Sequence, residues 1–172
     1  IISGSHLLED FGKTVCEIDT SMVKSIRKIP LSVTDANKKV ELLLLFSDVI
    51  REGITVLANL NPQFLVLAGD RYETFAMAVT AYYLNIPIVH LFGGDLSQGG
   101  HLDDSVRHSI TKIAHLHFTT NVDSYTRVLQ LKKEKWRVFN VGSTVMDNIL
   151  DCRYASADEL AKEFNIDLLK PI

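Results

Sequence analysis

The chain has 172 residues, of which 47% are hydrophobic and 23% are charged, a composition typical of a globular domain. Its 18 Lys and Arg residues against 21 Asp and Glu residues give a formal charge of -3, which offers no electrostatic reason to bind nucleic acid or an anionic membrane. This composition excludes a disordered chain, a collagen and a disulfide scaffold. The two cysteines, Cys16 and Cys152, lie far apart and have no CxxC partner, so we expect a reducing, cytoplasmic environment.

The two ends of the chain are typical of a piece cut from a longer protein. The first residues, Ile1 to His6, have the pattern of a strand that enters a loop, and the last residue, Ile172, is an apolar residue directly after a proline. We therefore expect an excised fragment.

Between these ends, short apolar runs alternate with amphipathic stretches. Continuous rather than alternating apolar runs predict strands that are buried on both faces, as in a parallel sheet. Alternation of such strands with helices predicts βαβ units and a doubly wound parallel α/β sheet of the Rossmann-like type. We expect one domain over residues 1–150 and a connecting helix within residues 151–172. The predicted strands are residues 64–68, 86–91, 116–119 and 137–141, and the predicted helices are residues 39–60, 72–84, 103–114, 122–131 and 157–164.

One uncharged stretch, residues 74–94, is long enough to cross a bilayer. It contains Asn85, Pro87 and His90, which are costly in hydrocarbon. A helix, a turn and a buried strand explain the same residues without a membrane, and we predict that arrangement.

Polar residues follow the predicted strands at their carboxyl ends, where ligands bind in open α/β sheets. We expect His6, Asp70, Arg71 and Asp95 to gather at one edge. The guanidinium of Arg71 is suited to bidentate binding of a diphosphate, and the next helix would add its N-terminal dipole. The alternative is an N-cap Asp70 beside a surface arginine.

The predicted helix at residue 103 begins with Asp103 and Asp104, and Arg107 follows. Paired carboxylates can supply acid–base groups or stabilise a developing cation. Spacing alone favours a structural role, an i,i+4 ion pair between Asp103 and Arg107. The preceding glycine-rich loop, residues 93–100, lacks the spacing of known phosphate loops, and a flexible connection explains it equally well.

The histidines offer a second possible chemistry, because His115 and His117 form an HxH pair. No acid follows this pair, and the sequence has neither an HExxH nor an HxxEH motif. We expect no metal site: a helix dipole explains His115, and a hydrogen-bonded position in a buried strand explains His117.

An ordered set of motifs in residues 2–7, 67–73, 86–95, 103–118 and 138–143 resembles the UDP-N-acetylglucosamine 2-epimerases. The resemblance covers nearly the whole chain and is closest to the hydrolysing branch of sialic-acid-type pathways. It implies conversion of UDP-N-acetylglucosamine to N-acetylmannosamine and UDP through a glycal. UDP-diacetylbacillosamine is an alternative substrate, and a non-catalytic sugar-nucleotide-binding domain is an alternative function.

The resemblance also implies an architecture. Family members have two Rossmann-like domains in a glycosyltransferase-B-like arrangement, and this chain is similar to the N-terminal domain without its first strand. We therefore expect the chain alone to be inactive and to bind UDP weakly. Phe92 stands where the non-hydrolysing enzymes have an acid, and Asp95 stands where the hydrolysing enzymes usually have Glu.

Roles for individual residues follow from the same resemblance. Asp70 and Asp103 are the expected acid–base groups, with Asp104 and Asp95 as second choices. No cofactor or metal is implied; the expected partners are a UDP-sugar and, in the full-length enzyme, further copies of the chain. The substrate-binding residues implied are His6 in the cleft, Arg71 on UDP, Asp95, and Arg107, which would orient Asp103 or a phosphate.

Overall fold

The computed structural model describes residues 1–7, 9, 12–30, 39–97, 102–152 and 154–165. Part of the predicted glycine-rich loop, residues 98–100, lies outside the described residues, as do His101 and the end of the chain from residue 166. The chain divides into two compact units, Ile1–Gly142 and Ser143–Ile172.

The first unit alternates strands and helices, and two short 3₁₀ helices, Gly4–Leu7 and Thr14–Glu17, follow its first strand. The second unit contains α5 (Thr144–Asp151) and α6 (Ala157–Phe164). In chain order the first unit has β1 (Ile2–Ser3), β2 (Lys28–Ile29), α1 (Lys39–Leu60), β3 (Leu65–Ala68), α2 (Tyr72–Tyr83), β4 (Ile88–Leu91), α3 (Leu102–Ile113), β5 (Leu116–Thr119), α4 (Val122–Gln130) and β6 (Val138–Asn140).

All pairings among the described strands are parallel, which confirms the predicted parallel α/β fold. Strands β3, β4, β5 and β6 lie side by side in that order, whereas β1 and β2 form a separate pair. In the register of the larger sheet, His90 of β4 lies between Leu67 of β3 and His117 of β5. The outer edges of β1 and β3 have no strand partner among the described residues.

The core lies where the first helices pack on the larger sheet. Gly53 lets α1 approach α2 closely, because a Cβ at this position would lie 2.8 Å from the sulfur of Met77. Burying the apolar surface of this cluster is the main force that holds the helices on the sheet. The cluster consists of Ile29, Val49, Leu57, Leu67, Ala76, Met77, Ala78, Ala81, Ile86, Ile88, Ile110 and Ala114.

The uncharged stretch 74–94 folds as predicted, into most of α2, a turn and β4. Asn85 at the turn has a φ of 57°, a left-handed conformation that ends the helix and that asparagine tolerates well. Among the described residues no helix is both long enough and apolar enough to span a membrane.

The sequence predicts only one of the two helices of the second unit. Helix α6 has the predicted bounds, and a capping box explains its start: Ser156 Oγ accepts from the Glu159 N–H, and Glu159 accepts from the Ser156 N–H. Helix α5 was not predicted, although Ser143 caps it by accepting from the Val145 N–H. The domain boundary near residue 150 stays a prediction.

Candidate functional site

One arginine gathers the polar groups at the carboxyl ends of β3 and β4. Arg107, on the second turn of α3, is only 8% exposed. Its Nη2 donates to Oδ2 of Asp70, and its Nη1 donates to Oδ1 of Asp104 at 2.7 Å and to the carbonyl of Asp95 at 2.6 Å. The guanidinium therefore bridges two carboxylates. A planar cation with several N–H donors is suited to this role.

This arrangement changes two expectations for Arg107. The ion pair lies at i,i+3 with Asp104, so the expected i,i+4 pair with Asp103 is wrong. Both terminal nitrogens already donate to protein oxygens, and a phosphate would have to compete with two carboxylates for them. The structure thus favours a role in holding Asp70 and Asp104.

Asp104 and Asp103 are neighbours with different surroundings. The backbone N–H of Ser97 donates to both oxygens of Asp104, at 3.0 and 3.2 Å, and this bond with the Arg107 charge holds the pKa of Asp104 below its usual range. Asp104 is therefore a fixed negative charge that ties Ser97 to α3. Asp103 is exposed and has no ion pair with the residues that the structure describes, so its carboxylate is free to meet a ligand.

Asp95 binds the start of α4 through hydroxyl side chains that no sequence motif indicates. Its Oδ1 accepts from Thr120 Oγ1 at 2.7 Å and from Ser124 Oγ at 2.5 Å. Gly94 beside it has a φ of 83°, and a Cβ there would collide with the Ser124 carbonyl. The described part of the loop is thus packed against α4, and one oxygen of Asp95 is already engaged.

A cavity of about 820 Å³ lies between β1 and β3 and reaches the start of α2. It lies along the edges of β1 and β3 that have no strand partner among the described residues. His6, Asp70 and Arg71 all line it, so these three predicted residues lie together. The other polar lining residues are Ser3, Thr14, Glu17, Glu73 and Thr74.

The residues around this cavity show how its polar end is built. His6 Nδ1 lies 2.7 Å from Thr14 Oγ1, which joins the two 3₁₀ helices. Arg71 keeps 61% of its side chain exposed, 3.4 Å from the Glu73 carboxylate. Arg71 itself is the N-cap of α2, without a side-chain cap bond, so the alternative in which Asp70 caps this helix is wrong.

Both HxH histidines have lowered pKa values, which favour the neutral ring. Partial desolvation and the nearby charges of Arg137 and Lys133 lower the pKa of His115, which is exposed at the surface. Its Nδ1 accepts from the Ile88 N–H at 3.2 Å. His117 is fully buried, which lowers its pKa to about 3, and neither ring nitrogen has a partner among the described residues. The expectation of a hydrogen-bonded His117 is therefore wrong. Within the described ranges, no three His, Cys, Asp or Glu residues form a group that could hold a metal ion.

The chain is similar to known proteins over nearly its whole length. The family model described as UDP-N-acetylglucosamine 2-epimerase matches residues 1–170. The chain is 36% identical over 172 residues to the GDP/UDP-N,N'-diacetylbacillosamine 2-epimerase (hydrolyzing) of Campylobacter jejuni, covering 100% of this chain and 44% of that protein. It is 31% identical to the UDP-N,N'-diacetylbacillosamine 2-epimerase (hydrolyzing) of Legionella pneumophila, covering 99% and 45%.

A solved structure supports the fold. The UDP-N-acetylglucosamine 2-epimerase of Rickettsia bellii superposes with a TM-score of 0.68 at 16% identity, covering 97% of this chain and 44% of that one. The chain thus spans less than half the length of the relatives that it matches.

Proposed function

The chain belongs to the UDP-N-acetylglucosamine 2-epimerase family. We propose that it is the domain that carries the acid–base residues of a hydrolysing 2-epimerase, which acts on UDP-linked acetamido sugars. One observation carries the proposal: the buried Arg107 holds Asp70 and Asp104 together at the carboxyl ends of the strands, and Asp103, next to Asp104 in the chain, is exposed. Carboxylates fixed in this way are suited to proton transfer and to stabilising positive charge at a sugar carbon.

The proposed reaction has two steps. In the first, a base takes the C2 proton while the C1–O bond breaks and UDP leaves, which produces a 1,2-unsaturated sugar. In the second, water adds its hydroxyl to C1, and C2 receives a proton on the opposite face. The products are UDP and the free 2-epimeric sugar, and the C1 centre carries oxocarbenium character while the bond to UDP breaks.

The environments of the carboxylates suggest a division of roles. Asp104 stays ionised under Ser97 and Arg107, so we assign it charge stabilisation and loop placement rather than proton transfer. Asp70 lines the cavity, and Asp103 is exposed, so these two are the proton-transfer candidates. Arg71, largely exposed at the cavity, is suited to bind the diphosphate.

Two substrates fit this proposal. UDP-N-acetylglucosamine is the one implied by the sequence motifs. UDP-N,N'-diacetylbacillosamine is favoured by a specific observation, since the relatives from Campylobacter jejuni and Legionella pneumophila, at 36% and 31% identity, are both named for hydrolysing 2-epimerases of that sugar.

The test is an assay on a two-domain protein that carries this chain as its N-terminal half. Each UDP-sugar is supplied separately, UDP release is followed, and the free sugar is identified by NMR. Stoichiometric UDP and a free 2-epimer support a hydrolysing epimerase, and the faster substrate identifies the sugar. A product that keeps its UDP would indicate a non-hydrolysing epimerase and contradict the proposal.

The alternative of a non-catalytic sugar-nucleotide-binding domain has its own test. Calorimetry with UDP on the 172-residue chain separates the two functions. We expect binding weaker than about 100 μM, since half a cleft makes few nucleotide contacts. Micromolar affinity, together with no turnover by the two-domain protein, would favour the binding domain.

A further inference from the structure

His90 of β4 is fully buried in the middle of the larger sheet, yet both of its ring nitrogens have partners. Nε2 lies 2.9 Å from the carbonyl oxygen of Gly69, and Nδ1 lies 3.0 Å from Oγ1 of Thr111 on α3. A carbonyl can only accept, so Nε2 carries a proton and donates it to Gly69. Burial lowers the pKa of His90, so the ring is neutral and its Nδ1 is an acceptor.

The bond to Gly69 acts on the backbone that carries Asp70. Gly69 follows β3 with a φ of 83°, a conformation that turns the chain out of the strand. Its carbonyl and the N–H of Asp70 belong to one planar peptide group. Fixing the Gly69 carbonyl therefore fixes the orientation of the peptide plane that leads to the Asp70 Cα, and with it the direction of the Asp70 side chain.

The arginine that binds Asp70 holds the same residue from its other end. Thr111 Oγ1 also lies 2.9 Å from the carbonyl oxygen of Arg107, one turn earlier on α3, but its single proton is donated either to that carbonyl or to His90 Nδ1, so the hydroxyl forms no continuous hydrogen-bond chain between them. Asp70 is thus held at its backbone by His90 and at its carboxylate by Arg107.

The space around His90 and Thr111 is closely filled. A Cβ placed on Gly93 would lie 2.9 Å from Thr111 Oγ1 and 3.1 Å from His90 Nδ1, closer than side-chain atoms normally approach. Glycine at position 93 therefore leaves room for the ring and the hydroxyl at hydrogen-bonding distance. His90 does not line the cavity, so it is placed to act through its neighbours and not on a ligand.

We propose that His90 is a positioning residue: its Nε2–H fixes the peptide group between Gly69 and Asp70 and so orients the Asp70 carboxylate towards the cavity and Arg107. The consequence for turnover rests on the proposed function, because it requires Asp70 to be a reacting group. A carboxylate misplaced by about 1 Å can cost about 10²-fold in rate, so such a bond matters to catalysis although it lies outside the cavity.

Two matched amide variants separate this role from a purely structural one. In His90→Gln the amide nitrogen reaches about as far as Nε2 and can donate to Gly69, whereas in His90→Asn it reaches only as far as Nδ1. Both bury an amide, so we expect similar melting temperatures. In the two-domain protein we expect His90→Gln to keep kcat within about fivefold and His90→Asn to lower kcat by about 10²-fold, with KM within about threefold for both.

A second measurement needs no activity. In NMR spectra of the 172-residue chain, we expect His90→Asn to shift the Asp70 amide signal and His90→Gln to leave it near its original position. If these shifts occur but the unmodified two-domain protein turns over no UDP-sugar, the positioning role stands and the proposed function fails. An unmoved Asp70 signal in folded His90→Asn overturns the positioning role, and so do equal losses of kcat in both variants.

Gly93→Ala provides a second test of the positioning role if His90→Asn does not fold. The added methyl group crowds the ring without removing its bonding groups, and the φ of Gly93 lies outside the left-handed region that would strain an alanine. We expect a displaced Asp70 amide signal and a kcat lowered by about tenfold. A folded Gly93→Ala protein in which both are unchanged also overturns the proposal.

Discussion

Arg107 and Asp70 lie 37 residues apart in the chain, and their side chains form an ion pair at the carboxyl end of β3. Their side chains are only 9% and 19% exposed. A pair in such surroundings differs from a surface ion pair, because removal of one partner leaves the other charge poorly solvated. The same guanidinium also binds Asp104, so its loss affects two carboxylates.

Arg107→Ala should destabilise the chain strongly. It leaves Asp70 and Asp104 without their shared cation, and breaking a buried pair in this way typically costs about 3–5 kcal/mol in the free energy of unfolding. Urea unfolding of the 172-residue chain measures this cost. A loss below about 1 kcal/mol would show that the pair is effectively solvated and would contradict its structural importance.

Arg51→Ala is the matched control for that experiment. Arg51 forms an i,i+3 ion pair with Asp48 on α1, the same spacing as Arg107 with Asp104, but its side chain is 71% exposed. Exposed pairs contribute about 0–1 kcal/mol. The two arginine variants should therefore differ several-fold in their effect on stability.

Asp103→Asn and Asp104→Asn should affect different properties although the residues are adjacent: the first kcat, the second the melting temperature. Asp103 is exposed and has no ion pair within the described part of the chain, so we expect its variant to keep its melting temperature and to lose about 10²-fold or more in kcat, the scale of an acid–base group. Asp104 binds Ser97 and Arg107, so its variant should lower the melting temperature.

Melting temperature and kcat measured on one preparation of the two-domain protein test both expectations. A stable Asp103→Asn protein with near-normal kcat would remove Asp103 from the catalytic residues. An Asp104→Asn protein with an unchanged melting temperature would contradict its role in holding the loop.

Arg71→Ala should weaken substrate binding without affecting the fold. Arg71 is 61% exposed and forms an ion pair only with Glu73 among the described residues, so little packing is lost. If it contacts the diphosphate in both ground and transition states, KM rises by about tenfold and kcat changes little. Steady-state kinetics on the two-domain protein measure KM and kcat separately. A large fall in kcat at constant KM would contradict this role.

The fold was largely predictable, because continuous apolar strands and 3.6-residue helix patterns are local signals. Bounds such as those of α1 follow from periodicity within one segment. The site was predictable only in part. Asp70 and Arg107 are both candidates, but their pairing depends on the packing of α3 against α2 and β4, which no local spacing encodes.

The separate pairing of β1 with β2 depends on packing in the same way. The roles of Ser97, Thr120 and Ser124 were missed because hydroxyl and backbone donors form no recognisable motif. His117 was expected to have partners, since most buried polar groups do, and only the structure shows that its ring nitrogens lack them among the described residues.

The chain should lose stability in mild acid because of its buried histidines. Burial lowers the pKa of His117 to about 3 from an ordinary value of 6.5, and the pKa of the buried His90 is lowered as well. Below pH 6.5 the unfolded chain therefore binds more protons than the folded one. Stability is complete above pH 6.5 and falls as the pH drops towards the folded pKa. For His117 alone, the loss between pH 7 and pH 5 should reach about 2 kcal/mol.

His117→Leu provides the test of this assignment. The leucine fills a similar volume, removes two ring nitrogens without partners among the described residues, and removes the titration. We expect the variant to be more stable than the original chain at pH 7 and its loss of stability between pH 7 and pH 5 to be smaller by about 2 kcal/mol. Urea unfolding at both pH values measures this difference, and restriction to pH 5 and above limits the contribution of carboxylates. Parallel pH profiles of the two proteins would show that His117 titrates normally in the folded chain.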